Sequence, residues 1–128
     1  MKVSYANMKL KTNTEVNTFK SHIRLGSGYT VEVDYKTING KNLLYTGGKT
    51  RIKKNGTLYR EFTNSITGEI TGDGIINSAD LLKTVKHLKG TSVLDGAFIK
   101  AADCNGDNII NSADLLKIVK FLKGTGSL

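Results

Sequence analysis

Apolar residues recur along this chain with two different periods, and the change of period divides it. Between Thr14 and Ile23, the residues Val16, Phe19 and Ile23 stand three and four apart. That spacing predicts a short amphipathic helix with Asn13 or Thr14 as its cap and Gly26-Ser27-Gly28 as its end. Tyr29-Thr30-Val31-Glu32-Val33-Asp34-Tyr35 then alternates with period two, the signature of a half-buried strand. Asn39-Gly40 signals a tight turn. Gly47-Gly48 precedes Thr50-Arg51-Ile52, and Asn55-Gly56 links that stretch to Leu58–Phe62, which predicts a hairpin around a turn needing positive φ. Beyond Gly68 the helical period returns in Leu81, Val85 and Leu88, which define the arc expected to face a core. The fold class read from this is α+β. A small mixed helix and strand module over residues 1–66 is followed by an all-α pair of loop–helix repeats over 67–128. The boundary falls near Ser65–Gly68 with no Pro-rich or Ser-rich linker, so the halves are expected to form one rigid pair. A first half of about 66 residues buries too little to be secure alone, which also favours packing against the second.

The second half is a duplication. Glu69–Thr91 recurs almost letter for letter, thirty-four residues on, at Asp103–Thr125. Each copy opens on twelve residues with oxygen-bearing side chains at the first, third, fifth, ninth and twelfth places, and a backbone carbonyl is due at the seventh. Alternate oxygens of this kind converge on one point, which is what a hard cation such as calcium requires. In the second loop these places hold Asp103, Asn105, Asp107, the Ile109 carbonyl, Asn111 and Asp114. The sixth place, normally Gly, is Asn108, the non-Gly residue that best tolerates left-handed backbone. Ile110 at the eighth place is the expected apolar clasp between paired loops. In the first loop the set is Glu69, Thr71, Asp73, the Ile75 carbonyl, Asn77 and Asp80. Glu69 is one methylene too long for a tight turn, and Thr71 offers only a neutral hydroxyl. Two calcium sites are therefore expected, with the 103–114 loop the stronger. The first loop can alternatively be a degenerate copy kept for packing. Asn77 to Asp80 and Asn111 to Asp114 also fit a capping box, a role compatible with metal binding.

Charge sharpens the division. The formal charge of +8 lies wholly in residues 1–66, where twelve Lys and Arg face four acids, while seven Lys balance seven acids beyond. Six of the eleven acids sit in the two loops, a clustering that repels itself without a cation. The single cysteine, Cys104, excludes an internal disulfide, and its second place in the loop, where side chains are expected to point outward, makes it an exposed bystander rather than a nucleophile. No apolar run approaches the ~18–20 residues of a membrane helix. Met1-Lys2-Val3 leads into polar residues without a leader pattern, which says little about the parent protein, because the chain reads as an excised or C-terminal fragment. An enzyme is the least favoured class: His22 and His87 neighbour no nucleophile or acid motif, and Gly47-Gly48 lacks the Lys-Ser/Thr of a phosphate loop.

Asp103 to Lys117, Asp-Cys-Asn-Gly-Asp-Asn-Ile-Ile-Asn-Ser-Ala-Asp-Leu-Leu-Lys, resembles the dockerin type I repeat, whose calcium loops end in Asp and run straight into a helix. Gly72 to Lys83 resembles the same pattern, and the likeness spans residues 69–125. The basic segment before it is similar, more loosely, to small modules that flank dockerins in bacterial surface proteins. The resemblance implies EF-hand-like calcium repeats and non-catalytic docking to a cohesin-like protein domain. It implies a secreted or cell-surface bacterial setting, of the kind found in polysaccharide degradation complexes. It further implies partner contacts at Ser78, Ala79, Leu82, Val85, Lys86, Lys89 and Gly90, and at Ser112, Ala113, Leu116, Val119, Lys120, Lys123 and Gly124. Helix geometry independently gathers Ser78, Ala79, Leu82, Lys86 and Lys89 into one arc of about 120°. A monomer is expected, with neither nucleic acid nor membrane as partner. Two rivals remain: a calcium-rigidified stalk with no docking partner, favoured if Leu82 and Leu116 are buried and the lysine faces bare, and a basic binder of polyanions or cell-wall polymers. Tyr29, Tyr35, Tyr45 and Tyr59, which a polyanion surface would use for stacking, are assigned instead to strand core.

Overall fold

A computed structural model describes residues 5–94 and 96–128; the Met1-Lys2-Val3 start lies outside them. The architecture is α+β. The chain runs β1 (Tyr5–Leu10), α1 (Val16–Ser21), β2 (Tyr29–Val33), β3 (Lys36–Ile38), β4 (Lys41–Leu43), β5 (Lys49–Lys54) and β6 (Thr57–Ile66). It continues as α2 (Ser78–Lys89), α3 (Gly96–Ala102) and α4 (Ser112–Leu122). Among the described residues no helix is long and apolar enough to cross a membrane.

The main sheet is ordered β1-β6-β5-β2, with β1 parallel to β6 and the other pairs antiparallel. Both turn signals deliver hairpins. Asn55 and Gly56 take φ of 51° and 81° between β5 and β6, and Asn39 and Gly40 take 51° and 77° between β3 and β4. Positive φ at both central residues matches the right-handed twist of the flanking strands. On one sheet face Met8, Leu10, Val31, Val33 and Ile66 meet Val16 and Phe19 of α1, together with Ile23 and Leu44. The opposite face carries an ion-pair ladder, with Arg51 held by Asp34 at 2.9 Å and Glu61 at 3.1 Å, and Lys53 by Glu32 at 2.7 Å. Lys9 alternates with Met8 and Leu10 along β1, and its ammonium reaches the carbonyl of Asp103 just beyond α3.

Four expectations are corrected. The α1 cap is Glu15, with no side-chain cap bond; Thr14 instead donates its hydroxyl to the Lys11 carbonyl, and Asn13 takes φ of 57°. The second strand ends at Val33, because Asp34 turns back to accept the Lys49 amide at 2.9 Å. The tyrosines do not form the strand core: Tyr35 is 50% exposed, Tyr29 and Tyr59 meet edge to face at a half-buried margin, 5.4 Å between centroids, and half-buried Tyr45 lies against Gly48 under the Lys36 ammonium at 4.7 Å. The fully buried residues of α2 are Asp80 and Thr84; of the expected arc, Leu81 packs on the second core and Val85 is half-buried, but Leu88 is 41% exposed. The buried stripe is shifted toward Asp80 and Thr84 because Asp80 must face the loop that precedes it. The equivalent line in α4 is Asp114 and Ile118. β1 and α3 have no counterpart among the elements the pattern predicts.

The halves are continuous. Asn64 to Ile70 is buried without a break, and the Gly68 amide donates to the Ala101 carbonyl at 2.9 Å. A second core of Ile70, Leu94, Ala101, Ala102, Cys104 and Ile118 lies beneath the repeats, joined by Leu81, Phe98, Ile110 and Leu128.

Candidate metal centre

Each loop is organised by its last residue. Asp80 sits in the first turn of α2, where its Oδ2 accepts the Asn77 amide at 2.8 Å and Oδ1 accepts the Ile70 and Thr71 amides at 2.7 and 3.0 Å. Asn77 answers by accepting the Ala79 amide at 2.9 Å, completing a capping box. The second copy repeats the arrangement, with Asp114 accepting the Asn111 and Asn105 amides at 3.0 and 3.2 Å and Asn111 accepting that of Ala113 at 2.9 Å. One carboxylate thus closes the loop and starts the helix. The ninth-place Asn oxygens are engaged in capping.

The acids are brought together in two groups. One ligand oxygen from each of Glu69, Asp73 and Asp80 lies within 4.8 Å of the others, and the same holds for Asp103, Asp107 and Asp114. The fifth-place acids accept the seventh-place amides, Ile75 to Asp73 and Ile109 to Asp107, both at 3.0 Å. Thr71 places its hydroxyl 3.4 Å from Glu69 Oε1, and Asn105 turns its amide to Asp107 at 3.3 Å. Gly74 and Asn108 take φ of 82° and 66°, so Asn fills the left-handed turn as its chemistry allows.

Burial pushes the carboxyls of Glu69 and Asp80 above their ordinary values, and the neighbouring acids add to the rise while amide hydrogen bonds oppose it. A self-repelling group of oxygen donors with two of its three acids buried fits a hard divalent cation, which would remove the repulsion and takes oxygens at about 2.3–2.6 Å in calcium complexes.

The two loops differ in what surrounds them. Glu69 is 1% exposed. Its Oε1 accepts the Gly72 amide at 2.7 Å, while Oε2 reaches outside the loop to the Thr46 amide at 2.7 Å. The Thr46 hydroxyl donates to the Glu69 carbonyl and accepts the Ile66 amide at 2.9 Å. Lys36 donates to the Gly72 carbonyl at 2.9 Å, and Ile38 leans so close that a Cβ at Gly74 would stand 2.8 Å from its Cδ1. In the second loop the Asp103 carboxylate accepts amides of its own loop, Gly106 at 3.1 Å and Asn108 at 3.0 Å. From outside it meets the Lys9 ammonium at 4.0 Å, and Asn105 to Ile109 are exposed. The Thr46 contact has no sequence signal, since it joins a backbone amide to a residue twenty-three positions on.

Cys104 corrects the expectation of an exposed bystander. It is 8% exposed within the second core, and burial first, then Asp114, pushes its thiol up to about 12. The second place of each loop faces inward, as the 0% exposure of Ile70 also shows. His87 accepts the Leu94 amide at 2.9 Å, pinning the chain after α2, and exposed His22 meets the Thr18 carbonyl at 2.9 Å.

On the outer helix faces, Ser78, Ala79, Leu82, Lys86 and Lys89 are exposed, and so are Ser112, Ala113, Leu116, Lys120 and Lys123. Leu82 and Leu116 are 53% and 51% exposed, a near match between the copies. Val85 and Val119 are half-buried, and Gly90 and Gly124 carry φ of 75° and 77° at the helix ends.

No curated protein and no solved structure matches the chain. Residues 67–123, which contain both loops and the helices they start, match the family model described as the dockerin type I domain.

Proposed function

We propose that residues 67–128 are a calcium-dependent protein-docking module of two EF-hand-like loop–helix repeats, carried behind the basic α+β module of residues 1–66. Dockerin type I domains are non-catalytic, calcium-dependent docking modules. Both loops of this chain take calcium, held by Glu69, Thr71, Asp73, the Ile75 carbonyl and Asp80, and by Asp103, Asn105, Asp107, the Ile109 carbonyl and Asp114. Asn77 and Asn111 act at the ninth place through water while their side chains cap the helices. The 103–114 site is the tighter, having three carboxylates and an amide oxygen against a longer Glu69 and a neutral Thr71. The partner is a cohesin-like domain, met by Ser78, Ala79, Leu82, Lys86 and Lys89 or by the equivalent set of the second copy, in an extracellular or cell-surface setting.

The observation that carries this reading is the pairing of two acidic triads with two matched outer faces. A surface helix places polar residues outward, yet each copy displays a leucine about half exposed among lysines. That favours docking over the stalk reading, in which Leu82 and Leu116 would be buried. The test is capture of immobilised cohesin domains by the full chain in calcium and in chelator. Capture in calcium that chelator abolishes, and that the double variant Leu82→Glu, Leu116→Glu loses, bears the reading out. Calcium binding by a chain that captures no member of a broad cohesin panel favours the stalk.

A further inference from the structure

The first calcium loop is incomplete without the first half of the chain. Glu69 divides its carboxylate between two tasks: Oε1 organises the loop amide of Gly72, and Oε2 holds the amide of Thr46 in the segment between β4 and β5. Thr46 is 1% exposed, and its hydroxyl ties the Glu69 carbonyl to the Ile66 amide at the end of β6. The same segment closes over the loop. The Thr46 carbonyl lies so near Gly72 that a Cβ there would stand 3.0 Å away, and Lys36 and Ile38 of β3 cover Gly72 and Gly74. Among the described residues the Asp103 carboxylate has no such bond to residues 44–48, and its loop is exposed from Asn105 to Ile109.

We propose that Glu69 and the Leu44–Gly48 strap form one composite site, so that calcium in the first loop locks the strap and, through it, the first half of the chain. The inference rests on the calcium reading given above. The extra methylene of Glu69, which handicaps it as a loop ligand, is what lets one carboxylate span loop and strap. A cation that orders Glu69 Oε1 removes the freedom of the whole carboxylate, and the Thr46 amide is then held by a fixed acceptor. By linkage, whatever stabilises the strap must strengthen calcium binding in the first loop by the same factor. Asp103 reaches no strap of this kind among the described residues, so calcium in the second loop leaves Thr46 as it was.

Amide hydrogen exchange of the full chain, read at Leu44 to Thr46 with and without calcium, tests this. Calcium at a hundredfold excess over its dissociation constant should slow Thr46 exchange by up to roughly 100-fold in the natural chain and in Asp107→Ala, and leave it unchanged in Asp73→Ala. A second arm is calorimetry: Thr46→Val should weaken the binding event that Asp73→Ala removes by roughly five- to tenfold, spare the other event, and be rescued by Thr46→Ser. Unaltered Thr46 exchange in a chain that binds two ions overturns the composite site alone. So does slowing that Asp107→Ala abolishes as fully as Asp73→Ala. A chain that binds no calcium overturns the docking reading itself, and this inference with it.

Discussion

The two loops follow one twelve-residue plan and have been given different surroundings. The first is buried against the strap and covered by β3, with Glu69 and Asp80 nearly or wholly inaccessible. The second is open from Asn105 to Ile109 and touches the sheet through Lys9, whose ammonium reaches the Asp103 carbonyl. Ligand chemistry and surroundings thus point in opposite directions. The second loop has the better donors, and the first has the more rigid frame. On the proposed reading, affinity should follow the donors, while the effect of calcium on the rest of the chain should follow the frame. Internal symmetry in sequence therefore does not carry symmetry of consequence.

The largest expected effect is removal of calcium. The two proposed sites, saturated at a hundredfold excess, would contribute about 5 kcal/mol together, so chelation should lower the thermal midpoint by roughly 15–20 °C. If the frames differ as described, Asp73→Ala should destabilise the first half more than Asp107→Ala does, visible in exchange of the β5–β6 amides.

The cores beneath the helices sharpen the comparison further. Ile118 and Thr84 occupy equivalent places, both at 0% exposure, but Thr84 donates its hydroxyl to the Asp80 carbonyl at 3.0 Å. Ile118→Ala should cost about 3 kcal/mol by cavity formation, and Thr84→Ala about 1 kcal/mol, in denaturant unfolding with calcium present. Equal losses would mean that the second core is not centred on α4.

Cys104 gives a pH test. Its thiol holds its proton to about 12 in the folded chain against 9.0 ordinarily, so above pH 9 the unfolded chain releases the proton first. Stability is therefore lost as pH rises, by about 1 kcal/mol at pH 10, and Cys104→Ala should remove that increment. The native thiol should also resist a disulfide reagent that labels it at once in denaturant. The equivalent place in the first loop is Ile70, which does not titrate, so the pH effect belongs to the second loop alone.

The smallest effect on stability belongs to the outer faces. Leu82→Glu and Leu116→Glu should each change unfolding free energy by no more than about 0.5 kcal/mol, since both side chains are half exposed. Their effect should fall instead on partner capture. Loss of capture in only one of the two single variants would show that the symmetric faces are used unequally.

Much of this is legible in the residues. The turns at Asn39-Gly40 and Asn55-Gly56, the strand from Tyr29 and the capping boxes at Asn77 and Asn111 follow from local chemistry, which a sequence displays directly. The acidic triads are legible because the spacing that gathers them is short. The rest depends on distant pairing. β1 is recognisable as a strand only through its parallel register with β6, more than fifty residues on. α3 is three alanines and little periodic pattern, and it is made a helix by the core it fills. The shift of the buried stripe toward Asp80 and Thr84 and away from Leu88 is hidden because apolar periodicity assigns no weight to a carboxylate that must face its own loop. Cys104 escapes for a related reason: the second place of the loop looks peripheral until Ile70 and Ile118 are seen around it.

The most direct measurement is a calorimetric calcium titration of the chelator-stripped chain beside Asp107→Ala. Two binding events of unequal strength, with the tighter one lost in the variant and the weaker one kept, are the predicted result. A single event that Asp107→Ala abolishes would contradict the account, reducing the first loop to a packing element held by Thr46 without a metal.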